Sequence, residues 1–374
     1  MKKLLCVLCA ILMALPLLTA CQPAPAANTG TEGDGTTAPV ETTFKPGANG
    51  EVNVYNWGEY INTDVLDAFE TSTGIKVNYT TFPSNEYLYS NLQTGGYDVI
   101  IPSDYMVARL IEEDMLEKLD FANIPNYSLV GDAYKGLEYD PDNAYSVPYM
   151  WGTVGIIYNP NMVEEDITSW SALWDEKYSG NILQFDNPRD AVATALLYLG
   201  YSINTTDEGE IRAAFDLLAQ QKPLIQKYVM DQIYTLMESG EAAIGPYYAG
   251  DYLMMLESNP DLLFVVPEEG SNQYVDAMCI PKDAKNKANG EAFINFMCST
   301  AVCIDNMGET GYASPNPEAN AAYGDEYDLE NEDDLYEYNI IFPSEEVLGT
   351  CEVYSHLPAA TNELYNDLWV KLKS

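Results

Sequence analysis

From residue 51 onward the chain alternates short apolar strands with amphipathic helices, and that alternation leaves few architectures open. Val52 to Asn56 reads as a strand. Asn62 or Thr63 can cap a helix that runs through Phe69 and stops at Gly74. Ile75 to Phe82 is a second strand, Ser84 to Leu92 a second helix, and Tyr97 to Ile101 a third strand closed by Pro102. Asp104 then opens a helix through Ile111, with its carboxylate read as the cap. Two successive βαβ units argue for a doubly wound, mostly parallel α/β sheet. Ligands of such sheets sit beyond the carboxyl ends of the strands. Trp57-Gly58-Glu59-Tyr60 and Ser103-Asp104-Tyr105 occupy those ends. A segment with proline, Ser146-Val147-Pro148-Tyr149, leads to an apolar run from Gly152 to Tyr158 that reads as a crossing into a second lobe. There Asn181 to Phe185 is a strand, and Ala191 to Leu199 and Ile211 to Leu218 are helices.

The residues before this pattern read as an address. Lys2 and Lys3 precede an apolar stretch from Leu4 to Leu18, too short to span a bilayer comfortably. It ends in Leu18-Thr19-Ala20-Cys21, which resembles the lipobox of bacterial lipoproteins. That resemblance implies a signal peptide over residues 1–20, cleavage before Cys21 and lipid on its thiol. Residues 21–50 follow as a flexible tether: the run is rich in Pro, Gly, Thr and Ala, and Val40 and Phe44 are its only sizeable apolar groups. The expected location is outside the cytoplasm, anchored to the membrane.

Roughly 320 residues remain, more than one core usually serves, so two lobes are expected. The chain has 17 Lys and Arg against 58 Asp and Glu, a formal net charge of −41. Nucleic acid is an improbable partner for that surface, while a cationic ligand is drawn to it. Most of these carboxylates simply solvate the surface, including the acidic run over 325–337, which lacks the spacing of a calcium loop. Cys279, Cys298, Cys303 and Cys351 are read as free thiols, and their spacing fits no zinc pattern.

Catalysis finds little support. His356 is the only histidine, no nucleophile elbow surrounds it, and no glycine-rich phosphate loop follows a strand. Paired carboxylates for a secreted hydrolase stay open, but 58 acids offer many chance pairs. More telling is acid beside aromatic near strand ends: Trp57, Glu59 and Tyr60; Tyr274 and Asp276; and Asp190. Such pairs suit an alkyl-diammonium. Each ammonium needs a carboxylate partner, and the methylenes between need an apolar wall that an aromatic face supplies. With 29 tyrosines in the chain, any one of them alone is better read as core packing.

At these residues the sequence resembles the periplasmic spermidine/putrescine-binding proteins, over nearly the whole stretch from 52 to 373. Tyr55-Asn56-Trp57-Gly58-Glu59-Tyr60, Ile101-Pro102-Ser103-Asp104-Tyr105 and Ser146-Val147-Pro148-Tyr149-Met150-Trp151-Gly152 match family blocks. So do the segments at 168–174, 199–207 and 280–287. The resemblance implies a two-lobed periplasmic-binding-protein type II fold, each lobe a mainly parallel sheet flanked by helices, joined by a hinge. The first lobe would comprise 51–150 plus 275–313 and the second 151–274 plus 314–374. It implies a monomer without cofactor or metal, delivering a polyamine to an ABC permease and its ATPase.

Carried over residue by residue, Trp57 and Tyr60 would be walls of an aromatic box and Glu59 would bind one ammonium. Ser103 and Tyr105 would line the first lobe, and Asp190 would be the carboxylate of the second. Tyr248 and Tyr274 stand where the family has Trp, Asp276 keeps an acid, and Tyr312 matches a family Tyr. Asn187 stands where the spermidine binder has Asp, with Asp186 or Asp104 as candidate substitutes. Gly58 replaces a hydroxyl residue, and the family's C-terminal Gln is not identifiable near Ser355. Fewer carboxylates suit two ammoniums better than three, which favours putrescine. A sugar, a peptide or ferric iron held by Tyr247-Tyr248 remain alternative ligands on the same fold.

Overall fold

The computed structural model describes residues 50–374. The leader, Cys21 and all of the tether except Gly50 lie outside the described residues. The first lobe follows the expected alternation closely. Strand β1 (Glu51–Trp57) leads to helix α1 (Thr63–Thr73), β2 (Lys76–Phe82), α2 (Asn85–Leu92), β3 (Val99–Ile100) and α3 (Asp104–Glu112). Local chemistry explains the boundaries. Asn62 accepts from the Asp64 amide at 2.9 Å to start α1, and Gly74 ends it in the left-handed region at φ 74°. Ser84 starts α2 by accepting from the Tyr87 amide at 3.2 Å.

Asp104 does not cap α3, as the sequence suggested. Ser103 holds the cap position, and Asp104 is the buried first residue of the helix. Its carboxylate accepts from the Val275 amide at 3.3 Å, which ties α3 to a distant strand. Spacing along the chain cannot reveal that partner, 171 residues away.

Strand β4 (Ser146–Tyr158) is thirteen residues long and buried throughout. The second lobe then adds β5 (Ile182–Phe185), α4 (Pro188–Tyr198), α5 (Glu208–Gln221), β6 (Ile225–Val229), α6 (Gln232–Glu238), β7 (Ile244–Tyr248), α7 (Ala249–Met255) and β8 (Leu263–Val265). Strand β9 (Gln273–Cys279) returns to the first lobe, and six more helices end the chain with Ala359–Lys373.

The strand order is β2-β1-β3-β9-β4-β7-β5-β6, with β8 on β4. Parallel pairing is confined to the two flanks: β1 with β2 and β3, and β5 with β6 and β7. Between them the pairing is antiparallel. The first part of β4, from Ser146 to Thr153, pairs with β9, and the rest, from Val154 to Tyr158, pairs with β7. The β4–β9 register shifts between Pro148 and Met150, where a proline has no amide to give the ladder. A third connection lies alongside, where the Trp151 amide donates to the Ala313 carbonyl at 3.1 Å.

One continuous apolar core runs from Val52, Val54, Val99, Phe69 and Phe293 of the first lobe through to Ile182, Phe185 and Ile244 of the second. A separate, smaller cluster packs Val192, Leu196, Ile211 and Leu218 against Tyr365 and Leu372 of the C-terminal helix. Cys279, Cys298 and Cys303 are buried, Cys351 is half-buried, and all four are free thiols. Most of the acidic run at 325–337 is exposed, and a helix, Glu332–Ile341, starts within it.

Gly155 shows how tightly the long strand is packed. A Cβ there would fall 2.5 Å from the Val265 carbonyl and 2.3 Å from the Phe264 ring. Gly155→Ala should therefore destabilise the chain by about 2–3 kcal/mol, read as a lower midpoint in urea or thermal unfolding. An unchanged midpoint would mean that β8 lies further from β4 than the structure shows.

Candidate ligand-binding cleft

The carboxyl ends of strands from both lobes meet at one cleft of about 710 Å3, counting the open space at its mouth. The end of β1 contributes Trp57, Gly58 and Tyr60, and the end of β3 contributes Ser103 and Tyr105. The start of α2 adds Asn85 and Glu86. From the second lobe come Asn187 and Asp190 after β5, Met230 and Asp231 after β6, and Tyr247, Tyr248 and Asp251 around the end of β7. Strand β9 places Tyr274 and Asp276 on the cleft, with Tyr312 and Tyr354 completing its walls.

The lining thus holds five carboxylates and eight aromatic rings, and no Lys, Arg or His. Tyrosine hydroxyls hold four of the acids. Tyr60 donates to Asp276 Oδ2 at 2.8 Å, and its ring meets Tyr312 edge-on at 5.0 Å. Tyr248 and Tyr354 donate to the two oxygens of Asp190 at 2.6 and 3.0 Å. Tyr234 donates to Asp251 Oδ1 at 2.8 Å, and Tyr312 donates to its other oxygen. Tyr105 donates to Glu86 at 3.1 Å. Asn85 braces this corner by donating to the Ser103 and Tyr105 hydroxyls at 3.0 and 3.1 Å. The Trp57 indole is fixed by the Ile101 carbonyl at 2.9 Å and leans on Phe82.

Two buried atoms in the lining, Asp276 Oδ1 and the Tyr274 hydroxyl, have no hydrogen-bond partner. Buried polar groups are nearly always paired, so a missing donor is the feature to explain. The carboxylates are also strained electrostatically. Burial pushes Asp276 up to about 6, and Asp190 and Asp251 push it the same way against the nearby Ser103 and Tyr60 hydroxyls. Asp251 also rises to about 6 through burial, which outweighs its tyrosine hydrogen bonds. Glu86 and Asp231 are raised by burial as well. An arrangement of this kind accepts positive charge between aromatic walls.

A model of the bacterial extracellular solute-binding proteins matches residues 64–331. The chain is 33% identical over 330 residues to the spermidine/putrescine-binding periplasmic protein of Escherichia coli, spanning 87% of this chain and 92% of that one. It belongs to the bacterial extracellular solute-binding proteins. A putrescine-binding periplasmic protein of Pseudomonas aeruginosa, SpuD, is 30% identical over 347 residues, covering 87% and 92% of the two chains. Among solved structures, the spermidine/putrescine ABC transporter substrate-binding protein PotD of Streptococcus pneumoniae is 36% identical with a TM-score of 0.72, covering 86% of this chain and 98% of that one. The Tp0655 lipoprotein of Treponema pallidum, at 28% identity, superposes with a TM-score of 0.75 over 86% and 99%.

In this solute-binding protein, all the site residues read from the sequence line the cleft except Glu59. Glu59 needs correction. Its backbone turns through φ 46°, which leaves its side chain exposed and turns Tyr60 inward, so Glu59 is outside the lining. Asn187 lines the cleft, but its side chain is spent on α4: it accepts from the Asp190 amide at 2.8 Å and donates to the Asp190 carboxylate at 2.7 Å. Neither candidate substitute reaches the cleft lining, because Asp186 pairs with Lys373 at 2.7 Å and Asp104 faces β9.

Sequence reasoning missed Glu86, Asp231 and Asp251, and with them the count behind the lean towards putrescine. Asp251 could have been found, since it lies three residues beyond Tyr248 in the first turn of a helix that starts at a strand end. Tyr354 takes a wall position from the segment where the Gln was sought. Glu86 and Asp231 carry no local signal.

The raised acids set a pH dependence. Between the ordinary carboxylate value near 4 and the folded value of about 6, the folded chain holds protons that the unfolded chain has released. The stability these groups contribute is therefore fully present below pH 4 and is lost as pH rises through 6. Asp276→Asn should stabilise the ligand-free chain by about 2 kcal/mol at pH 7 and leave it nearly unchanged at pH 4, as read from thermal midpoints. Equal shifts at both pH values would show that Asp276 titrates normally.

Proposed function

We propose that this chain is the capture protein of an ABC importer and binds a linear polyamine, putrescine or spermidine, in the cleft between its lobes. The observation that carries this reading is the lining itself: five carboxylates among eight aromatic rings, without a single cationic side chain. Buried acids so close together need positive charge from outside. An alkyl-ammonium supplies it at its ends and offers its methylenes to the rings, with cation–π attraction worth about 1–2 kcal/mol. Asp276 Oδ1 and the Tyr274 hydroxyl, buried and unpartnered, are ready acceptors for ammonium hydrogens. The named ligands of the relatives fit the same chemistry.

The proposed mechanism is closure. The lobes, taken as 51–150 plus 275–313 and 151–274 plus 314–374, would hinge where β4, β9 and the Trp151–Ala313 contact cross between them. Ammonium ions bridging Asp276 of β9 to Asp190 and Asp251 of the second lobe would favour the closed form. The chain would work outside the cytoplasm as a monomer held by lipid at Cys21, and pass its cargo to a permease driven by an ATPase. It would turn nothing over: four of the five cleft acids are hydrogen-bonded by tyrosine hydroxyls, which fixes them as ligands for charge. A ferric site at Tyr247 and Tyr248 is disfavoured, because burial and nearby carboxylates push both phenols well above their usual range, away from phenolate.

Isothermal titration of the mature chain should give one-to-one binding of putrescine or spermidine and no heat with a maltodextrin or ferric citrate. At pH 6, binding should release about one proton in total, since Asp251 and Asp276 are each near half-protonated until a cation arrives. Asp276→Ala should weaken binding by about 3 kcal/mol or more, roughly a hundredfold in Kd, because a buried ammonium loses its partner. Folded, ligand-free protein that gives no heat with either polyamine would refute the reading.

A further inference from the structure

Gly58 and Asp231 face each other where the turn after β1 meets the turn between β6 and α6. A Cβ on Gly58 would lie 3.2 Å from Asp231 Oδ2, so the carboxylate occupies the room that a side chain at position 58 would need. Gly58 is not in the left-handed region, so its backbone conformation gives no reason for a glycine. The other four lining acids each accept from a tyrosine hydroxyl outside their own turn, and all four are buried or half-buried. Asp231 is the most exposed of the five, its carboxyl only partly buried, which puts it at the mouth. Beside it stand the Tyr247 hydroxyl and the charge of Glu59. Two acids thus approach each other at the entrance to a cleft whose floor already holds the buried, unpartnered Asp276 Oδ1 and Tyr274 hydroxyl.

We propose that Asp231, in the space left open by Gly58, is an outer ammonium subsite that takes the third charge of a triamine. Asp190, Asp251 and Asp276 deeper in the cleft would then serve the two ends of a diamine. The pairing accounts for two departures from the family pattern at once. The acid missing at Asn187 is supplied from a different loop, and the hydroxyl missing at Gly58 makes way for it. The inference rests on the polyamine reading and adds to it which residues discriminate by ligand charge.

The test is titration of wild type, Asp231→Asn and Gly58→Ala with putrescine and with spermidine, each variant first shown to be folded by a cooperative thermal transition at wild-type temperature or above. Because the subsite is partly exposed, Asp231→Asn should cost spermidine about five- to tenfold in affinity and putrescine less than about twofold. Gly58→Ala should produce the same bias more weakly, since the carboxylate can swing aside. Equal losses for both ligands, or no loss for spermidine, would overturn the outer subsite while leaving polyamine binding in place. A wild type that binds neither ligand would remove the polyamine reading, and the subsite with it.

Discussion

Carboxylates crowded into a cleft without a counter-cation are the constraint around which the rest of this molecule is arranged. Left in water they would repel one another only weakly. Buried together, each raises the cost of ionising its neighbours. The chain manages this with tyrosine rather than with Lys or Arg: phenol hydroxyls hold Asp190, Asp251, Asp276 and Glu86. A phenol satisfies an acceptor and adds an apolar ring without neutralising the charge. The cleft therefore stays negative and stays unsatisfied, as the orphan oxygen of Asp276 records. Stability of the empty protein is given up so that a cation gains on entering.

The sheet makes this crowding feasible. Two parallel flanks each present carboxyl ends, and the antiparallel seam of β4 and β9 turns those ends towards each other. Asp276 on β9 and Tyr248 at the end of β7 belong to opposite sides of that seam, yet Tyr248 and Tyr274 rings meet at 5.4 Å. Strand β4 is buried along its whole length and pairs with β9 through its first part and with β7 through its second, so one strand links the two flanks of the sheet. Gly155, with no room for a methyl group, is one sign of how closely that seam is packed.

Charge at the cleft also separates affinity from stability. Replacing Asp276 by a neutral isostere relieves repulsion in the empty protein and removes the main partner of an ammonium in the filled one. Opposite signs of this kind mark a residue kept for its ligand. The mouth follows the same logic at lower stakes, since Asp231 is exposed and its charge is partly screened by water.

Composition and pattern determined a good deal. The βαβ alternation set the order of the first lobe's elements, and caps such as Asn62, Ser84 and Gly74 set helix ends because they act on their own neighbours, though the third strand is only Val99–Ile100. Of the acid–aromatic groups read at strand ends, Trp57 and Tyr60 at the end of β1 and Asp190 after β5 do line the cleft, whereas Tyr274 and Asp276 reach it from within β9 and Glu59 stays outside it. What only the tertiary structure decided is everything that depends on partners far along the chain. It sent Glu59 outward through a left-handed turn, gave Asn187 to its helix and drew Asp104 to a strand 171 residues away. It brought Glu86 and Asp231 to one cleft from loops that share no motif. Local propensity is written in adjacent residues, whereas the charge of a binding site is a sum over loops whose meeting the sheet alone arranges.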